Sequence, residues 1–249
     1  NNMNPRLTIE GNYFAYCGVN SSDVTTPSYN GAIDLSGGTG SGCDGAIIRD
    51  NVFEYCAGTA INCVDSENLT IEGNQIISEA ANWNTNKQPD IIRIATTTGA
   101  GGKDIENVSI KDNLYDPRGV TPNFVYFICL VGQSDNNIKN IDVSGNTILG
   151  PKAGLYLSYC HGTIKVERNL FSGLTDNTKI AVNCALLSGN SNTAEVSLFL
   201  SDNVFESCKG RLLAWDPGSD ASGTQQRVFH AYRNEFRQAL ADTGTPTSA

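Results

Sequence analysis

A short phrase ending on asparagine recurs along the chain and leaves few folds open to it. RLTIEGNYF occupies residues 6–14, AIIRDNVFE 46–54, NLTIEGNQI 68–76, NVSIKDNLY 107–115 and NIDVSGNTI 140–148. TIKVERNLF at 163–171, LFLSDNVFE at 198–206 and FHAYRNEFR at 229–237 complete the series. The aligned asparagines are Asn12, Asn51, Asn74, Asn113, Asn146, Asn169, Asn203 and Asn234, spaced by 39, 23, 39, 33, 23, 34 and 31 residues. The shortest unit is therefore 23 residues, and the longer units are that one plus inserted loop. Self-similarity at such a period marks a solenoid.

The residues around each asparagine say which solenoid. Before it runs an alternating strand such as Leu69-Thr70-Ile71, with one side chain in and the next out. After it comes a second short strand with a bulky apolar residue: Phe14, Phe53, Ile76, Tyr115, Ile148, Phe171, Phe205 or Phe236. A tight bend between strands needs a residue that tolerates left-handed backbone angles, and asparagine is expected to take that conformation. A third strand follows in most units: AIDLS (32–36), AINCV (60–64), IIRIA (91–95), FICLV (127–131), GLYLS (154–158), NCALL (183–187) and RLLAW (211–215). Three strands per unit, each stacked on its counterpart one rung away at about 4.8 Å, make an all-β, right-handed parallel β-helix of seven to eight coils. The asparagines then form a ladder up one corner, with a structural role.

Composition narrows the partners. A formal charge of −9 over 249 residues argues against nucleic acid and anionic membrane, both of which carry phosphate. No apolar run reaches the roughly 18 residues of a membrane-spanning helix, and the longest, FVYFICLV at 124–131, is strand-length. The chain opens inside a repeat without an initiator methionine, so residues 1–249 read as one β-helix domain cut from a longer protein. The eight cysteines are too sparse for a disulfide scaffold and show no CxxC pair for zinc. Cys63, Cys129, Cys160 and Cys184 fall in apolar runs and read as small core residues. Cys17 and Cys56 share a repeat position and are the pair that a disulfide would join.

These units resemble the right-handed parallel β-helix repeat of the pectate-lyase superfamily, over nearly the whole chain. The resemblance implies polysaccharide chemistry of one of several kinds: lyases, glycoside hydrolases, fructan transferases, epimerases and bacteriophage tailspikes share the coil. The Arg-x-Pro-x-x-Arg motif of pectate lyases is missing. So is the polygalacturonase set, to which CHG at 160–162 is the nearest approach. The favoured reading is a tailspike-like depolymerase at an extracellular or virion surface, hydrolysing glycosidic bonds without a cofactor. A lyase would add Ca²⁺, and a non-catalytic stalk or adhesin stands as the contrasting class.

Relatives of this kind place their site on the strand that opens each coil, here the AIDLS type. Aligned on its inward residues, that strand turns Asp34, Asn62, Arg93 and Tyr156 outward, with Asp34 and Arg93 about 10 Å apart across two rungs. Hydrolysis needs two carboxyl groups, about 5 Å apart for retention and about 6.5–9.5 Å for inversion. Asp34, Asp65 and Glu79 are the candidate acids. Arg93, with Lys87 beside it, would serve elimination as the base. The insertion at 77–90 adds Trp83 for stacking and Lys87 and Asp90 for hydrogen bonds; His161, Trp215 and Asp216 extend the sugar-binding set. Two distant histidines give no metal site. The unalternating FVYFICLV run would be apolar on both faces, so a loop or a neighbouring subunit must cover it. A homotrimer is the expectation.

Overall fold

The computed structural model describes residues 6–15, 17, 31–36, 42–54, 59–77, 90–99, 101–118, 126–150, 153–174, 180–185, 195–209, 211–216 and 227–237. Within them the chain is all strand, in three parallel sheets of 8, 8 and 7 strands whose order follows the coils. The result is the right-handed parallel β-helix expected. One sheet holds the strands before each asparagine, from Thr8–Glu10 to Arg227–Tyr232, and the next holds those after it, from Tyr13–Ala15 to Glu235–Arg237. The third runs from Ile33–Ser36 to Arg211–Trp215.

Register carries like side chains over like. The post-asparagine residues pair in one unbroken inward column: Phe14, Phe53, Ile76, Tyr115, Ile148, Phe171, Phe205, Phe236. Within it Phe171 stacks on Phe205 with ring centroids 5.1 Å apart, and Phe205 on Phe236 at 5.4 Å. Offset ring contacts of this kind add about 0.5–1.5 kcal/mol each beyond the area they bury.

The asparagine corner differs from expectation in one respect. The left-handed residue is the one before each asparagine: Gly11, Asp50, Gly73, Asp112, Gly145, Arg168, Asp202 and Arg233, with φ between 52° and 69°. That position accepts glycine, aspartate and arginine alike, because each pays only a local backbone cost there. The asparagine is constant for another reason. Its side chain turns inward, and from Asn51 to Asn203 it is fully buried. Asn113 shows the pattern: its Oδ1 accepts from the backbone N–H of Asn74 at 3.0 Å and from Asn74 Nδ2 at 2.9 Å. Its own Nδ2 donates to Asn146 Oδ1 at 3.0 Å and to the Ile71 carbonyl at 3.0 Å. Only a side chain with a donor and an acceptor on one short planar head can do both. Aspartate has no donor and serine is too short to span the rungs.

The FVYFICLV run is also explained from within. Strands of the third sheet enter on two consecutive inward residues, Ala60-Ile61, Ile91-Ile92, Phe127-Ile128 and Ala181-Val182, all buried. Phe127 meets Tyr115 inside the coil with ring centroids 5.2 Å apart. At the equivalent Gly154 a Cβ would come within 2.6 Å of the Phe171 ring, so the coil accepts no side chain there. Of the strand Tyr126–Val131, only Tyr126, Cys129 and Val131 face out, and Cys129 is covered within the chain by its bond to Asp90. Within 126–131 the run is therefore taken up largely inside the chain, while Phe124 and Val125 lie outside the described residues.

Cys63, Cys129, Cys160 and Cys184 are buried, and all the cysteines described, Cys17 included, are free thiols. Cys17 carries a free thiol, and Cys56, the partner expected for it, lies outside the described residues. Burial pushes the Cys184 thiol up to about 12, so it stays protonated and inert.

Two substitutions separate the corner's two jobs. Asn113→Ala should cost about 3 kcal/mol, because it orphans buried partners on both neighbouring rungs. Asp112→Gly, at φ 53°, should change stability by less than about 0.5 kcal/mol. Urea denaturation of both variants reads the difference; equal losses would show that the bend, and not the amide, is what matters.

Candidate functional site

The outward row of the third sheet follows from the same register. Asp34 pairs with Asn62, Asn62 with Arg93, Arg93 with Cys129, Cys129 with Tyr156, Tyr156 with Asn183 and Asn183 with Ala214. Asp34, Asn62, Arg93 and Tyr156 therefore do share one line. The row is internally bonded. Arg93 Nη1 donates to Asn62 Oδ1 at 3.3 Å, and Asn62 Nδ2 donates to Asp34 Oδ1 at 3.1 Å. Guanidinium and carboxylate are thus bridged by a neutral amide that is itself only 4% exposed. Asp34 also accepts from the Ser36 N–H at 3.1 Å and remains exposed.

A second outward column stands at the mouth of these strands, where Asp90 and Tyr126 precede their inward pairs. Asp90 is 7% exposed. Burial pushes its carboxyl above the usual range, against the Cys129 thiol that donates to it and the nearby Arg93 and Tyr126. Tyr126 stacks on Tyr156 with centroids 4.7 Å apart, and its hydroxyl accepts from Asn183 Nδ2 at 3.2 Å. Burial raises the Tyr126 hydroxyl likewise, outweighing the Asn183 bond. The cluster thus joins Asp90, Arg93, Cys129, Tyr126, Tyr156 and Asn183. Sequence reasoning missed Tyr126, Cys129 and Asn183. Asn183 was legible as the residue before the inward Cys184. Tyr126 and Cys129 were hidden by a run with no alternation.

The remaining candidates fall elsewhere. Asp65 is fully buried, with a left-handed backbone at φ 52°. Its Oδ1 accepts from the Thr97 N–H at 2.8 Å and its Oδ2 from Thr97 Oγ1 at 2.5 Å. That carboxylate staples one rung to the next and does not face the row. It lies three residues beyond Asn62 and one rung from Asp34, about 11 Å by strand and rung spacing, so the two are not brought together. Trp215 pairs with Cys184 and continues an inward column, where it stacks on Phe229 at 5.5 Å. It closes the core, contrary to the outward position expected. Asp216 follows it, exposed, its N–H donating to the Cys184 carbonyl at 2.8 Å.

His161 lies on the pre-asparagine sheet beside Lys139, away from the row. Burial and the Lys139 charge hold its pKa below the ordinary value, against Asp104 and Glu106. Glu79, Trp83 and Lys87 lie outside the described residues. Among the described residues no group of three or more His, Cys, Asp or Glu gathers to hold a metal ion. Compared with known proteins, the chain matches no protein-family model, no curated protein and no solved structure.

Asp90 sets a pH dependence. Its folded pKa lies above its unfolded one, so its contribution is most favourable below the unfolded value, near 3.9, and is lost as pH rises through the folded value. Asp90→Asn should therefore stabilise the fold at pH 7 relative to the parent, with the difference shrinking towards pH 3. Thermal melts of both proteins across that range test the sign; a gain that grows in acid would reverse it.

Proposed function

We propose that this chain is a polysaccharide-active β-helix, of the kind its repeats resemble in the pectate-lyase superfamily, with a tailspike-like depolymerase as the favoured setting. The polymer lies along the outer row of the third sheet, and the reaction is glycosidic hydrolysis in preference to elimination. One observation supports this most directly. A single continuous row presents a carboxylate, an amide and a guanidinium on successive coils, then the Cys129 thiol and a tyrosine, flanked by a buried carboxyl, Asp90, with a raised pKa. A raised pKa suits Asp90 to donate a proton to a leaving glycosidic oxygen, and a second carboxylate would take the proton of the attacking water. Arg93 would orient hydroxyl or carboxylate groups beside it, and Tyr126 and Tyr156 would offer ring edges and hydroxyls. This reading carries with it an extracellular or virion-surface setting and a homotrimer of parallel coils.

A stalk or adhesin is the second reading, favoured by a specific observation: Arg93, Asn62 and Asp34 already satisfy one another. Incubation with a panel of bacterial and plant polysaccharides separates the readings. New reducing ends, lost at least a hundredfold in Asp90→Asn, support hydrolysis. Unsaturated, calcium-dependent products would move the assignment to a lyase. Binding without cleavage would leave the adhesin. A monomer by light scattering would remove the tailspike-like setting.

A further inference from the structure

The last coil is one strand short. Strands Arg227–Tyr232 and Glu235–Arg237 end the first two sheets, but the third sheet stops a rung earlier at Arg211–Trp215. Among the described residues nothing pairs with the outer edge of that strand. The core is open at the same place. The inward column is buried from Phe53 to Phe205, yet Phe236, which ends it, is 63% exposed. Phe205, Cys208, Leu212, Phe236 and Arg237 line a slot of about 220 Å³ there.

The coils beneath show what belongs over such a slot. Ser172, Glu206 and Arg237 stand in one register. Beyond the first two of them the chain turns left-handed, at Gly173 with φ 73° and at Ser207 with φ 53°. It then lays a side chain back on the core: Leu174, buried at 4% exposure, and Cys208, whose thiol donates to the Phe171 carbonyl at 3.4 Å. Each turn also donates to the coil above, Gly173 N–H to the Glu206 carbonyl at 3.0 Å and Ser207 N–H to the Arg237 carbonyl at 2.8 Å. Arg237 is thus held as Glu206 is, and the chain leaves it beside the slot.

Residues 238–249, QALADTGTPTSA, come next and lie outside the described residues. Ala239 falls where Leu174 and Cys208 fall in their coils, but a methyl group is too small to fill the slot. Leu240 follows, the one large apolar residue of the twelve, within a reach of about 10 Å from Arg237. Two residues further stands Asp242. Lys209 and Arg211, next to the slot residues Cys208 and Leu212, are both exposed and complement its charge. A second copy stacked end to end would not fill the gap, because its strand Ile33–Ser36 would sit one rung above the missing strand.

We propose that residues 238–249 fold back over the end of the coil as a cap, with Leu240 seated in the slot and Asp242 set against Lys209 and Arg211. The cap shields Phe236 and the edge of Arg211–Trp215 from further strand pairing. Pro246 has no N–H to offer a ladder, so the cap does not itself become a new edge.

Cys208 lines the slot, so its thiol reads whether the slot is filled. The full chain is treated with iodoacetamide and modification at Cys208 is followed by mass spectrometry, with the buried Cys184 as the marker of folding. Leu240→Asp, and a chain ended after Arg237, should each raise the rate at Cys208 about tenfold with Cys184 still unmodified. Leu240→Met should keep the parent rate. In Leu240→Cys, oxidised glutathione should join the introduced thiol to Cys208. The proposal is overturned if Leu240→Asp and the shortened chain both react within about twofold of the parent, if Leu240→Met reacts as fast as Leu240→Asp, or if the introduced thiol leaves Cys208 free. Protection of Cys208 that vanishes on dilution would also overturn it, by giving the slot to a second copy.

Discussion

The hydrogen bonds of the buried asparagine column are the constraint on which the rest of the coil depends. Each rung must turn sharply beside the core, and a turn exposes backbone N–H groups that neighbouring strands do not satisfy. The asparagine amide answers this from inside. It accepts from the backbone and side chain of the rung before, and donates to the rung after and to a strand carbonyl. With the corner fixed, the phase of both flanking strands is fixed, and aromatic side chains fall onto aromatic side chains at both ends of the inward column.

A fixed phase also makes the outer surface a set of rows rather than a mosaic. A residue placed outward on one coil has its counterparts one rung above and below, so function on such a surface is naturally linear. The third-sheet row is such an instance, charged and flanked by a desolvated acid.

Much of this was legible in the sequence. Alternation around Leu69-Thr70-Ile71 and its repeats marks the strands, and alignment of their inward residues places Asp34, Asn62, Arg93 and Tyr156 in one row. What was not legible has definite physical causes. The left-handed position is occupied by glycine, aspartate or arginine, so its variety disguised a conformation that is constant. The asparagine's constancy pointed to the wrong property, backbone tolerance instead of a two-sided amide. Asp65 was taken as a groove acid because the residue type invites it, whereas its oxygens are held by Thr97. Trp215 was expected to face a ligand, yet its register with Cys184 turns it to the core. Double inward residues at the entry to each third-sheet strand erased the alternation that would have revealed Tyr126 and Cys129.

The ladder has a sense of direction: from Asn12 to Asn203 each asparagine donates from its backbone N–H and its Nδ2 to the Oδ1 of the next asparagine in the series and never to that of the previous one. The column is therefore a vector, and its unit is the whole coil. A gene encoding such a chain can gain or lose complete turns, because the new neighbours meet with the same donors and acceptors as the old. It cannot gain part of a turn, or a turn running the opposite way, without breaking the sequence of partners. Length in this architecture changes by integers.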